Sequence, residues 1–387
     1  MKPLEGILVL DFSQYLAGPS CALRLADLGA RVIKIERPGT GDNCRRVILK
    51  NLTAGDDSML FHTINRNKES FAANMKDEAD LKMLKKLIAE ADVMIENFRP
   101  GIMKKNGLDY EAVKKINPGI VYGTVTGYGE EGEWAKKPGQ DLMIQSMSGM
   151  TWLNGNGDNL PTPFALSVVD SYTGVHLAEG ILAAVFNSLR TGEGALVQVS
   201  LMESAIDMQF QGMTAYLNDG SKLPVRSKYY NAGPYIGAPY GIYPTKDGYI
   251  ALADERLEVL SEVLRLPELL RYDREHDLFE KRDEIKCIIA ERMTEKTTTV
   301  WLELLEAADY GCSDVYTWQS MMESEGFQEL EILQSMILQN GKEFQTTRCP
   351  ITVDSERYYC TKCGPLLGED TEKIIKEFSL NEEDVTV

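Results

Sequence analysis

The first 36 residues constrain the fold most. Gly6 to Phe12 (GILVLDF) is a short apolar run closing on an acid, the pattern of a strand buried on both faces of a parallel sheet. SCALRLADLGA follows with Leu23, Leu25, Ala26 and Leu28 at helical spacing, Ser20 as the expected N-cap and Gly29 as the stop. RVIKIE then reads as a second strand. Strand, helix and strand in so little chain predict a doubly wound α/β unit, because a parallel crossover needs a helix to bring the chain back. DEADLKMLKKLIAEA (helix), ADVMIENF (strand), YEAVKKI (helix) and GIVYGTVTGYG (strand) continue the rhythm.

Such an opening invites a dinucleotide, and Glu36 stands where a ribose-binding acid would close the second strand. The turn before the helix argues against it. It holds Gly18 and Pro19 where G-x-G-x-x-G is needed for close approach to a pyrophosphate, so NAD or FAD is not expected. Arg37, directly after Glu36, is either a solvated surface charge or a donor to a ligand phosphate just past the carboxyl end of a strand.

From Asp170 the scale changes. VDSYTGVHLAEGILAAVFNSLRTGEG reads as one long helix stopped at Thr191-Gly192, with Val175, Ile181, Leu182, Val185 and Phe186 expected on its buried side. Residues 217–247 are rich in Gly, Pro and Tyr without helical period and read as a linker into a second domain, which opens on a GIYPTKDGYIALA hairpin. The expected organisation is a large domain over 1–216, a small domain with linkers over 217–325, and a return to the large domain over 326–387, where TEKIIKEFSL is an amphipathic helix.

Charge narrows the partners. The 387 residues carry a net charge of −18, which repels phosphate backbones and anionic lipid, so neither nucleic acid nor membrane is an expected partner. An anionic ligand would need a local cluster of donors opposing that field. No apolar stretch approaches the roughly 20 residues that span a bilayer, and MKPLEGILVLDF is too short in its apolar run for a secretory signal, so a cytoplasmic protein is expected. Seven cysteines then read as reduced thiols; Cys360 and Cys363 have CxxC spacing but supply two of the four ligands of a zinc site, and no metal is expected.

His62, His176 and His276 are the only histidines, and no G-x-S-x-G elbow accompanies them, so a Ser-His-Asp hydrolase is not expected. His176, inside an apolar helix pattern, reads as a core residue. A carboxylate is the better carrier of chemistry, and Asp170 is the candidate. It ends the stretch FALSVVD at the start of the long helix, where it would serve either as an N-cap or as an ionised nucleophile favoured by the helix dipole. The residues alone leave both readings open.

At this point the pattern becomes specific. DSYTG with a long helix and RTGEGALVQVSLMESA, together with LDFSQYLAGP, LADLGARVIKIERPGTGD, NRNKES, ADVMIENFRPG, INPGIVYGTVTGYGEEGEW, QDLMIQSMSG, APYGIYPTKDGYIAL and PLLGED, resembles the class III CoA-transferase (CaiB/BaiF) family in order and spacing over most of the chain. The resemblance implies an α/β fold, with a Rossmann-like large domain, an inserted smaller α+β domain and an interlocked homodimer. It implies acyl-CoA and a carboxylic acid as substrates, with no tightly bound cofactor. Asp170 would attack the acyl-CoA to form an anhydride and then an aspartyl-CoA thioester, and Asp141 would orient the intermediate. CoA-contact positions fall on Leu16, Ala17, Arg37, Ala73, Asn97, Phe98, Arg99 and Lys105, with Lys137 one place from the family's lysine. Arg37, Arg99, Lys105 and Lys137 would supply the local positive cluster.

The alpha-methylacyl-CoA racemases share this pattern, with a histidine immediately before the acid matching Asp141. Here that residue is Gln140, whose amide cannot act as a general base, which favours transfer over racemisation. A non-catalytic CoA-binding protein with Asp170 as a mere cap is the other alternative. No glycine-rich loop of the formyl and oxalate type is evident; Gly233 to Gly237 is the nearest stretch, which points to acids larger than oxalate.

Overall fold

The computed structural model describes residues 2–381, and their chain divides into two compact units. The larger comprises Met1–Ile144, Ser167–Ala205 and Leu330–Val387; the smaller comprises Gln145–Leu166 and Ile206–Glu329.

The larger unit is built on six parallel strands: β1 (Leu8–Asp11), β2 (Arg31–Glu36), β3 (Lys68–Ala72), β4 (Val93–Glu96), β5 (Val121–Thr126) and β6 (Ala195–Ser200). Their order across the sheet is β3-β2-β1-β4-β5-β6, so the winding direction reverses between β1 and β4. Ligands of open α/β sheets lie outside the carboxyl ends of the strands at such a reversal. Val9, Leu10, Ile33, Val93, Met94, Ile95 and Val121 are fully buried, as parallel strands covered on both faces must be. Helices α1 (Ala17–Asp27), α2 (Glu78–Glu90) and α3 (Tyr110–Ile116) carry the crossovers.

Helix α1 starts three residues before the expected cap at Ser20. Pro19 occupies the third helical position, where the missing N–H would have found no intrahelical partner, and the Ser20 hydroxyl donates instead to the Ala17 carbonyl at 2.9 Å. The first turn lies tight against the loop after β1: a Cβ on Gly18 would stand 2.3 Å from that of Ser13. Only glycine permits this approach.

The chain from 330 returns to this sheet. Edge strand β3 would present unpaired N–H groups, but the side chains of Asp370 and Thr371 accept from Ser70 N and Ala72 N at 3.0 and 2.9 Å, and a helix begins at Thr371.

Helices α4 (Asp141–Met147), α5 (Val168–Thr191), α6 (Leu201–Met208) and α7 (Phe210–Asn218) follow β5 and β6 in the chain. Helix α5 buries Leu177, Ala178, Ile181 and Val185. Val175 and Phe186, expected inside, are 37% and 64% exposed, because this helix is apolar around more of its circumference than one sheet face can cover.

In the smaller unit, β7 (Gly241–Pro244) and β8 (Tyr249–Leu252) form the hairpin expected around Lys246-Asp247-Gly248, and β9 (Cys312–Asp314) pairs with β8 antiparallel. Helices α8 (Leu257–Leu264), α9 (Arg282–Met293) and α10 (Thr298–Ala307) complete a core of Tyr243, Ile250, Leu260, Ile285, Ile289, Trp301 and Leu305. Helices α11 (Trp318–Glu323) and α12 (Glu325–Leu330) bury no residue. Helix α13 (Thr371–Glu377), back on the larger unit, packs Ile374, Ile375 and Phe378 into the main core, as its amphipathic pattern predicted.

Candidate active site

Asp170 is the third residue of α5, not its N-cap. Ser167 stands at the cap position without a side-chain bond, so the free N–H groups of the first turn need another partner. Asp141, the first residue of α4, is that partner: its Oδ2 accepts from Val169 N at 2.8 Å and from Asp170 N at 3.0 Å. Two acids at one helix terminus thus divide the labour. One satisfies the backbone, leaving the other's carboxyl group for different work.

The proximity has an electrostatic result. Burial, and after it the charge of Asp141, push the Asp170 carboxyl up to about 7. Loss of water and a neighbouring negative charge thus act against the stabilisation that the helix dipole offers an ionised carboxylate.

One turn beyond, Gly174 lies directly on α1. A Cβ there would meet Ser20 Oγ at 2.0 Å and the Ala17 carbonyl at 2.8 Å. Residues i and i+4 share a helix face, so Asp170 lies on the side of α5 that Gly174 seats against the first turn of α1. Leu16 is the N-cap residue of α1 and Ala17 its buried first position.

A cavity of about 250 Å³ opens at the carboxyl ends of β1 to β4, at the reversal of the sheet. Arg37, Ala73 and Phe98 line it; Gln14, Met75 and Lys76 also line it and were not singled out from the sequence. Gln14 sits inside LDFSQYLAGP, and Lys76 lies three residues past Ala73, so adjacency to the motif residues was the available signal. Asn97 does not line the cavity. Its side chain clasps the Gln14 backbone in both directions, with Nδ2 donating to Gln14 O at 2.7 Å and Oδ1 accepting from Gln14 N at 2.8 Å.

Of the four cations expected to cluster, one lines this cavity. Arg37 lines the cavity, Arg99 lines a separate cleft of about 390 Å³ that also holds Glu96, Glu130 and Glu131, and Lys105 and Lys137 line neither. Lys105 is exposed at the end of the short helix Ile102–Lys105, and Lys137 is exposed with Nζ 5.8 Å from the Trp134 ring centre.

His176 is half-buried, with Nδ1 3.1 Å from Ser204 Oγ. Cys360 and Cys363 are buried; burial pushes both thiols up, that of Cys360 to about 11, and Cys360 Sγ donates to Asp27 Oδ1 at 3.4 Å. Among the described residues no three His, Cys, Asp or Glu side chains are grouped so as to hold a metal ion, and no helix is long and apolar enough to cross a membrane.

Comparison with known proteins identifies the family. The family model described as CoA-transferase family III matches residues 4–371. The chain is 32% identical over 388 aligned residues to the succinyl-CoA:glutarate CoA-transferase of Mus musculus, covering 97% of this chain and 86% of that one. It is 34% identical over 313 residues to the acetyl-CoA:oxalate CoA-transferase of Acetobacter aceti, covering 79% of each. The crystal structure of a CaiB/BaiF family protein from Brucella suis superposes with a TM-score of 0.81 at 30% identity, covering 97% of this chain and 99% of that one. The chain is a CoA-transferase and belongs to CoA-transferase family III.

Proposed function

We propose that the protein moves CoA from an acyl-CoA donor to a free carboxylic acid through covalent intermediates on Asp170. The observation that carries this reading is the carboxyl group itself: it sits in the first turn of α5, is not used as a cap, and is held near neutrality beside Asp141. An Asp oxygen attacks the thioester carbonyl, the C–S bond breaks, and a mixed anhydride and CoA thiolate result. The thiolate attacks the aspartyl carbonyl of the anhydride, releasing the donor acid and leaving aspartyl-CoA. The acceptor carboxylate attacks that thioester, expelling thiolate and forming a second anhydride. Thiolate attack on the acceptor's carbonyl then gives the new acyl-CoA and frees Asp170. Each step exchanges one acyl bond for another, so the thioester's energy is retained so long as water is kept out.

Arg37, Ala73 and Phe98 would contact CoA in the cavity, with Leu16 and Ala17 at its approach to Asp170; Asn97 would act through Gln14, and Arg99, Lys105 and Lys137 would meet its phosphates from the rim. Relatives named for glutarate and succinyl groups support a dicarboxylic acid larger than oxalate as acceptor. Gln140, lacking a titratable ring, speaks against racemisation. The assembly is taken as an interlocked homodimer in the cytoplasm with the smaller domain inserted in the larger. Support for the dimer comes from the exposed apolar residues Val175, Phe186 and Leu189 of α5 and from α7, which buries no residue within its own chain.

Intact-protein mass spectrometry after incubation with succinyl-, glutaryl- and acetyl-CoA, with and without hydroxylamine, tests the mechanism. A CoA adduct or hydroxamate on wild type and absent from Asp170→Ala is expected. CoA binding without any adduct, across all donors, would rule out Asp170 as nucleophile.

A further inference from the structure

The most heavily charged part of the interior lies beneath the loops that flank the cavity. Lys34 of β2 is fully buried, and its Nζ donates to the Ser13 carbonyl at 2.8 Å, pairs with Asp42 Oδ2 at 3.0 Å and lies 3.6 Å from Asp11 Oδ2. Asp11 is held chiefly by a second buried lysine, Lys68, at 2.8 Å, whose ammonium also reaches the Pro19 carbonyl and Asn65 Oδ1. Asp42 makes its one ion pair, among the described residues, with Lys34, whose ammonium stands 3.0 Å from Oδ2. Burial works against the charge of Lys34, yet Asp11, Asp42 and Glu36 together push its pKa up, and the ammonium stays protonated.

Asp42 joins two loops. Its Oδ1 accepts from Cys44 N at 2.8 Å, opening the 3-10 turn Asn43–Arg46 after β2, and from Tyr15 N at 3.1 Å in the loop after β1. Tyr15 is in the left-handed region, with φ of 65°. For a bulky side chain that conformation is strained and persists only where its surroundings hold it. On either side of Tyr15 stand Gln14, which lines the cavity, and Leu16, which caps α1. Arg37 follows the strand that carries Lys34.

We infer that Lys34 is a positioning residue for CoA: through Asp42 it pins Tyr15 in its strained conformation, and so presents the 13–17 loop to the ligand. The inference rests on the proposed CoA site. It requires neither lysine nor aspartate to touch the ligand, since both lie under the loops.

A thermodynamic cycle tests it, reading Kd for CoA by calorimetry, and KM and kcat with an acyl-CoA donor. Lys34→Met should raise Kd at least about tenfold and raise KM correspondingly, with a smaller fall in kcat, because the strain released is of that order and the partners of Lys34 are Ser13, Asp11 and Asp42 rather than residues of α5. The same substitution made in a Tyr15→Gly background should cost much less, since glycine adopts the left-handed conformation without being held there. Where Lys34→Met does not fold, Asp42→Ala replaces it in the cycle, because it removes the oxygen that accepts from Tyr15 N. Unchanged affinity in the folded variant overturns the inference, as does an equal loss in the two backgrounds, which would mark Lys34 as an ordinary stabilising residue. Failure of wild type to bind CoA would instead overturn the proposed site.

Discussion

Asp170 must lose its proton before it can attack an acyl carbon, and its carboxyl is pushed up to about 7. Turnover should therefore rise with pH through a midpoint near 7, and Asp141→Asn, which removes a neighbouring negative charge while keeping an oxygen for the α5 N–H groups, should move that midpoint downward. The pH dependence of kcat/KM for both proteins checks this; an unshifted midpoint in the variant would show that Asp141 does not act on Asp170 electrostatically. The same group bears on stability with the opposite sense. An unfolded Asp titrates near 3.9 and the folded one near 7, so the fold binds more protons in between, and its stability from this group is lost as pH rises through that window. Asp170→Asn should thus be more stable than wild type at pH 8 by about 1–3 kcal/mol, with the difference vanishing below about pH 4. Urea unfolding at pH 4 and pH 8 reads both ends.

At the scale of elements, the seating of α5 on α1 decides where Asp170 stands. Gly174→Ala would place a methyl group 2.8 Å from the Ala17 carbonyl, and although Ser20 could rotate away, the backbone oxygen could not. The helices must then separate, costing about 1–3 kcal/mol by overpacking and moving the reactive turn with them. The expected result is a lower melting temperature together with a fall in kcat larger than any change in CoA affinity. A variant that melts earlier but keeps full kcat would show that the helix contact serves the fold alone. Asp141 belongs to this scale as well, because it ties the start of α4 to the start of α5. Removing the side chain by Asp141→Ala should cost about 0.5–2 kcal/mol as a lost cap, an effect Asp141→Asn should largely avoid.

For the whole molecule, α5 carries an outward apolar surface that its own unit leaves open. Phe186 is 64% and Leu189 71% exposed. Exposed apolar patches mark binding surfaces, and the proposed homodimer would cover this one. Phe186→Glu should leave secondary structure intact and shift the protein from dimer toward monomer, read by size-exclusion chromatography with light scattering. A wild type that is monomeric at micromolar concentration would refute the proposed homodimer outright.

The alternation of short apolar runs with amphipathic segments was enough to establish parallel strands joined by helices, since hydrophobic period depends on local geometry alone. Asp170 stood out as an acid at the head of a long helix, with cap and nucleophile both open, whereas Asp141 entered only through the resemblance to the family. Ser20 was misread as a cap because nothing local distinguishes a hydroxyl that bonds a helix N–H from one that bonds a carbonyl within the first turn. Phe186 was misread as core because composition reports that a helix is apolar, not which side its neighbours leave bare. Only the tertiary structure decides the upward shift of the Asp170 carboxyl and the partners of the buried Lys34. Both depend on burial and on charges that lie far apart in the chain, Asp141 to Asp170 and Lys68 to Asp11, and meet only when the sheet and its helices close.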